Sequence, residues 1–121
     1  MLCPSRILIV EDEEILADNL KTFLGRRTPD VRIAADAEAA IQMAKSFAPD
    51  LVILDYALPG VDGLRAYHEI VGSGPEQANC VMISGHLSDR VVENAHRQGI
   101  NQMLCKPFSF AELQQAIDRS Y

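Results

Sequence analysis

With 121 residues, 48% apolar and 23% charged, the chain has the size and balance of one globular domain able to bury its own core, here taken as residues 1–121. Its strongly apolar runs, such as residues 7–10 and 51–54, are far too short to cross a bilayer, and the first residues hold no apolar stretch of signal-peptide length. A formal net charge of −6 disfavours direct nucleic-acid binding, and Cys3, Cys80 and Cys105 fit neither a zinc pattern nor a C-x-x-C pair, so reduced thiols in a cytoplasmic protein are expected.

In chain order, residues 6–10 read as a first strand, apolar on consecutive positions as a strand buried on both faces must be. Leu16, Leu20, Phe23 and Leu24 then recur at helical spacing, with Arg26 and Arg27 expected in the last turn, where they complement the helix dipole, and Pro29 beyond it. Residues 31–34 form a second strand, and Ala37, Ala40, Ile41 and Ala44 a second helical stripe that Pro49 follows. Residues 51–54 are a third strand, again continuously apolar. Leu58-Pro59-Gly60 reads as a tight turn, and Asp62 as the N-cap of a third helix starting at Gly63, with Leu64, Tyr67, Ile70 and Val71 on its apolar face. Residues 80–83 are a fourth strand. A fourth helix is expected over about residues 87–98, with Leu87, Val91, Val92 and Ala95 as its stripe and Gly99 at its end. Residues 102–105 are a fifth strand, and Ser109 with Glu112 form a capping box opening a fifth helix whose stripe is Phe110, Leu113, Ala116 and Ile117.

Five strand-helix units joined by right-handed crossovers predict an α/β, flavodoxin-like, doubly wound parallel sheet in the order 2-1-3-4-5. Ligands of such sheets bind outside the carboxyl ends of the strands. Those ends carry Glu11 and Asp12 after strand 1, Asp55 after strand 3, Ser84 after strand 4 and Lys106 after strand 5. Any one of them alone reads as a solvated, capping or turn residue. Together they supply what one reaction needs. Close carboxylates repel unless a hard cation such as Mg²⁺ joins them. Ser84 and Lys106 can donate to phosphoryl oxygens, and a carboxylate in that place can act as a nucleophile and form an aspartyl phosphate.

At these residues the chain resembles the receiver domains of two-component response regulators. The resemblance runs over essentially the whole chain, through ILIVEDE at 7–13, DLVILDYALPGVDG at 50–63, MIS at 82–84 and KPF at 106–108. It implies that Asp55 accepts a phosphoryl group from a sensor histidine kinase or a phosphotransfer protein. It implies Mg²⁺ as cofactor, with Mn²⁺ acceptable to the same oxygen donors: Asp12, Asp55 and the Ala57 carbonyl as ligands, Glu11 acting mainly through water. Ser84 is then the hydroxyl that moves to the phosphoryl group and Lys106 the lysine that pairs with it, with the Lys106-Pro107 bond cis. The face of helix 4, strand 5 and helix 5 is expected to change and to meet an output domain or downstream protein, and phosphorylation-dependent homodimerisation is compatible with it. Where the family commonly has a switch aromatic, this chain has Met103. Gly85 stands where alanine is common, and Ala57 and His86 occupy positions that tune loss of the phosphoryl group.

Other classes fit less well. A phosphohydrolase of the haloacid-dehalogenase kind carries a second Asp two residues after its nucleophile, where this chain has Ala57, so a switch rather than a turnover enzyme is expected. A flavodoxin-like cofactor site needs a phosphate loop after strand 1, where Glu11 to Glu14 would repel phosphate. A pseudo-receiver, which works without phosphorylation, is disfavoured by the complete set of site residues.

Overall fold

The computed structural model describes residues 4–58, 63–72 and 77–120. Strands β1 (Arg6–Val10), β2 (Asp30–Ala34), β3 (Leu51–Asp55), β4 (Asn79–Ser84) and β5 (Gln102–Cys105) alternate with helices α1 (Glu14–Leu24), α2 (Ala37–Phe47), α3 (Gly63–Val71), α4 (Asp89–Arg97) and α5 (Phe110–Arg119). The sheet is parallel throughout, in the order β2-β1-β3-β4-β5. This is the doubly wound architecture expected from the strand-helix alternation.

The continuous apolar runs are explained by the two cores the sheet separates. Leu8, Val10, Val52, Leu54, Cys80 and Met82 point into a cluster with residues of α2, α3 and α4 such as Ala40, Phe47, Tyr67 and Ala95. The alternate positions, Ile7, Ile9, Leu51, Ile53, Val81 and Ile83, join Leu20, Leu24, Leu113 and Ile117 of α1 and α5. Every one of these strand residues is at most 8% exposed. Each fully buried Ile or Leu contributes about 1.5–3 kcal/mol relative to an exposed one, so a polar residue at any of them would disrupt one core or the other.

Local chemistry sets the helix ends. Asp36 Oδ1 accepts from Ala39 N–H at 2.7 Å to start α2, and Ser88 accepts from Val91 N–H to start α4. Ser109 and Glu112 make the expected capping box at α5. Gly99, at φ 96°, closes the chain after α4, as its position suggested.

Four expectations shift. α1 ends at Leu24, so Arg26 and Arg27 lie in the turn after it, not in its last turn, where Lys21 is the basic residue. Leu87 precedes α4, because Ser88 captures the first free N–H and begins the helix at Asp89. Of the predicted α4 stripe only Ala95 is buried, while Val91 and Val92 are half-exposed. Phe110 is 41% exposed, and stacks on Phe23 at 4.5 Å between ring centroids. Pro59, Gly60 and Asp62 lie outside the described residues.

Candidate functional site

The parallel register carries the chemistry-bearing residues to one edge. β1, β3, β4 and β5 all end there, and the ladder runs on past the strands: Glu11 N–H donates to the Ala34 carbonyl at 3.1 Å, Tyr56 N–H to that of Ile83 at 2.9 Å, and Lys106 N–H to that of Ser84 at 2.7 Å. Asp55 pairs with Ile83 across β3 and β4, so Ser84 stands one residue further along the neighbouring strand.

Glu11 and Asp55 are buried, at 1% and 3% exposure, whereas Asp12 is exposed. One oxygen from each of the three carboxylates lies within 4.8 Å of the others. This all-oxygen donor set suits a hard divalent cation such as Mg²⁺ or Mn²⁺. Glu11 Oε1 is buried and, although outside hydrogen-bond geometry, lies 2.7 Å from the Lys106 ammonium, which offsets part of the negative charge gathered here.

Lys106 Nζ is the hub of the site. It donates to Asp55 Oδ2 at 3.2 Å and to Glu13 Oε1 at 3.0 Å. Burial disfavours its charge, but the carboxylates of Glu11, Glu13 and Asp55 outweigh burial and hold its pKa above the usual lysine range. Burial foremost, reinforced by Asp55 and opposed by Lys106, pushes the Glu11 carboxyl up to about 7. Asp55 Oδ1 accepts from the Ala57 N–H at 3.0 Å, which fixes the carboxylate at both oxygens. The Lys106-Pro107 peptide is cis, as the resemblance implied.

Ser84, 2% exposed, is engaged locally: its hydroxyl donates to the His86 carbonyl at 2.9 Å and accepts from the His86 N–H at 3.1 Å. Glu11, Asp12, Asp55 and Lys106 are thus brought together, while Ser84 stands beside them with its hydrogen bonds turned to residue 86. His86 is exposed, and Met103 is half-buried against the core on the α2/α3 side of the sheet. The residue sequence reasoning missed is Glu13. Its one signal was its place in the acidic run after β1, which does not reveal that its side chain reaches Lys106.

Residues 7–118 match the family described as the response regulator receiver domain. The chain is 38% identical over 109 residues to the transcriptional regulatory protein CutR of Streptomyces coelicolor, covering 89% of this chain and 49% of that protein. It is 34% identical over 116 residues to the transcriptional regulatory protein PdtaR of Mycobacterium tuberculosis, covering 95% and 56%. The chain therefore spans about half the length of the curated relatives it matches. Among solved structures, the signal receiver domain of a DNA-binding response regulator from Colwellia psychrerythraea superposes with a TM-score of 0.82 at 31% identity, over 94% of this chain and 95% of that one. NtrX from Brucella abortus aligns at 0.84 and 34% identity, over 98% of this chain and 27% of that one. A family match over nearly the whole chain, a parallel 2-1-3-4-5 sheet and an acidic cluster beside a lysine at its carboxyl edge agree: the chain belongs to the response regulator receiver domain family.

Proposed function

We propose that this receiver is a phosphorylation switch whose phosphoacceptor is Asp55, fed by a histidine kinase or a phosphotransfer protein in the cytoplasm. The observation that carries this reading is the position of the Asp55 carboxylate, fixed by the Ala57 N–H on one oxygen and the Lys106 ammonium on the other, within reach of Glu11 and Asp12.

In the reaction an Asp55 oxygen attacks phosphorus. The new O–P bond forms as the bond from phosphorus to the donor imidazole nitrogen breaks, and the imidazole leaves with the electron pair. Asp55 gives up no proton, since it attacks as the carboxylate. Asp12, Asp55 and the Ala57 carbonyl would hold Mg²⁺ or Mn²⁺ directly, and Glu11 through water. Bound there, the cation neutralises charge on the phosphoryl oxygens. Lys106 pairs with one of those oxygens. Ser84 exchanges its two bonds to His86 for one to another phosphoryl oxygen. Ala57 offers no side-chain acid or base, which suits a switch rather than a hydrolase of free substrates.

Beside the cleft, Ile15 is 80% exposed next to Leu16, Pro107 and Phe108. This apolar rim adjoins Lys106 and gives a protein donor a place to seat. Phosphorylation adds nearly two negative charges that only the switched state of Ser84 and Lys106 satisfies, and such differential contact is what shifts a two-state equilibrium. The elements attached to them, α4, β5 and α5, form the face that an output domain or downstream protein reads.

The test is intact-mass analysis after incubation with acetyl phosphate and Mg²⁺. One phosphoryl group on the wild type, absent with EDTA and absent from Asp55→Asn, is the expected result. A folded wild type that binds Mg²⁺ and gains no phosphoryl group would overturn the reading.

A further inference from the structure

The amino terminus of α1 departs from a rule that α2, α4 and α5 keep. Asp36, Ser88 and Ser109 each accept a hydrogen bond from a first-turn N–H, as N-cap side chains do. Glu13 holds the same position before α1, in extended backbone conformation, and makes no side-chain cap bond. Its carboxylate reaches instead to the far end of the chain, where Oε1 accepts from Lys106 Nζ at 3.0 Å.

An ammonium has three donors. Those of Lys106 face Glu13, Asp55 and Glu11 at 3.0, 3.2 and 2.7 Å. A phosphoryl oxygen approaching Lys106 therefore competes for the ammonium with the two carboxylates it bonds, Glu13 and Asp55, and with the nearby charge of Glu11. Glu11 and Asp55 have side chains 0% and 4% exposed, so neither carboxylate can turn to water if it parts from the ammonium. The Glu13 side chain is 63% exposed, so its carboxylate can return to water at little cost.

We propose that Glu13 is a latch on Lys106: in the resting protein its carboxylate competes with the incoming phosphoryl group for the ammonium, and its release accompanies phosphorylation. Glu13 is then a positioning residue that slows the reaction by acting through Lys106. This rests on the reading of Asp55 as phosphoacceptor. With acetyl phosphate as probe, an Asp55 oxygen bonds to phosphorus, the phosphorus–oxygen bond to acetyl breaks, and acetate departs with the electron pair.

The experiment measures phosphorylation rate by intact mass in Mg²⁺ and acetyl phosphate for wild type, Glu13→Gln, Lys106→Met and the double variant, each checked by its melting curve. Glu13→Gln should react about two- to fivefold faster than wild type, the range expected for removing one solvent-exposed ion pair. In the Lys106→Met background the same substitution should change nothing, the signature of action through the lysine. An equal acceleration without Lys106 would mean that Glu13 only repels the anionic donor, and the latch would fail. No acceleration in either background would also overturn it.

Glu13→Asp decides independently should Lys106→Met not fold. Its shorter side chain keeps the charge but draws it back from Lys106, so it should react nearly as fast as Glu13→Gln, and a wild-type rate in Glu13→Asp overturns the latch. An unphosphorylated wild type would instead overturn the phosphoacceptor reading, and the latch with it. A phosphorylated wild type with no rate gain in Glu13→Gln overturns the latch alone.

Discussion

Replacing Glu11 with glutamine is expected to stabilise the metal-free protein at alkaline pH while weakening its hold on Mg²⁺. Glu11 is 1% exposed, and burial, with Asp55 adding and Lys106 opposing, lifts its carboxyl from the ordinary 4.5 to about 7. At about 1.4 kcal/mol per pH unit, ionising it in the folded state costs up to roughly 3 kcal/mol relative to an unperturbed carboxyl. Between pH 4.5 and about 7 the folded protein keeps a proton that the unfolded chain has lost. Stability from this group is therefore present below the window, falls as pH rises through it, and is gone above it. Glutamine has no such window, and Lys106 keeps Glu13 and Asp55 as partners. In EDTA at about pH 8, Glu11→Gln should thus be more stable by about 1–3 kcal/mol, a melting-point gain of about 4–10 °C for a domain of this size. The gap should close near pH 5, where the wild-type carboxyl is protonated. Saturating Mg²⁺ should raise the wild-type melting point more than that of the variant. Melting curves by circular dichroism at several pH values, with EDTA or Mg²⁺, measure all of this. A variant that melts below wild type at pH 8 in EDTA, or a difference that ignores pH, refutes the reasoning.

Ile53→Ala, at a fully buried position in the central strand, should cost about 2–5 kcal/mol in urea denaturation without changing the native circular dichroism spectrum. Iodoacetamide should modify exposed Cys105 long before Cys80, whose thiol burial pushes up to about 12, with peptide mass mapping as the assay and rapid native-state labelling of Cys80 as the contrary result. Gly99→Ala should cost about 1–2 kcal/mol from backbone strain alone, because φ is 96° there and an added Cβ would lie a comfortable 3.8 Å from the Tyr67 hydroxyl; an unchanged melting point would count against it.

What was legible in the sequence is what repeats along it. Strands that lie between two apolar layers read as unbroken runs, so residues 7–10, 51–54 and 80–83 announced a parallel sheet. The topology rule then draws Glu11, Asp12, Asp55, Ser84 and Lys106 to one edge. Less legible were features decided by competition between neighbours. Leu87 keeps helical spacing with Val91, but the Ser88 hydroxyl takes the Val91 N–H and the helix starts after it. Phe110 keeps the period of α5, but as the first residue of the helix it overhangs the core and finds Phe23 instead. The contact of Glu13 with Lys106 was invisible for a different reason. It depends on where two long side chains meet across the sheet edge, and neither spacing nor periodicity encodes that.

The three irregularities at this edge share one physical account. Glu13 forgoes a helix cap to hold Lys106, Glu11 Oε1 is buried without a hydrogen bond, and Ser84 satisfies its hydroxyl only with the backbone of residue 86. These departures gather where one reading puts the chemistry. On that reading each is answered by the same event. A cation and its water meet Glu11, a phosphoryl oxygen takes Lys106 from Glu13, and a second takes the Ser84 hydroxyl from residue 86. The resting arrangement need not be strained for this to work. It needs partners that are weaker than those the phosphorylated state offers, and an exposed glutamate and a local serine turn are such partners. A phosphoryl group of nearly two charges then tips the balance without disturbing the two cores that hold the sheet.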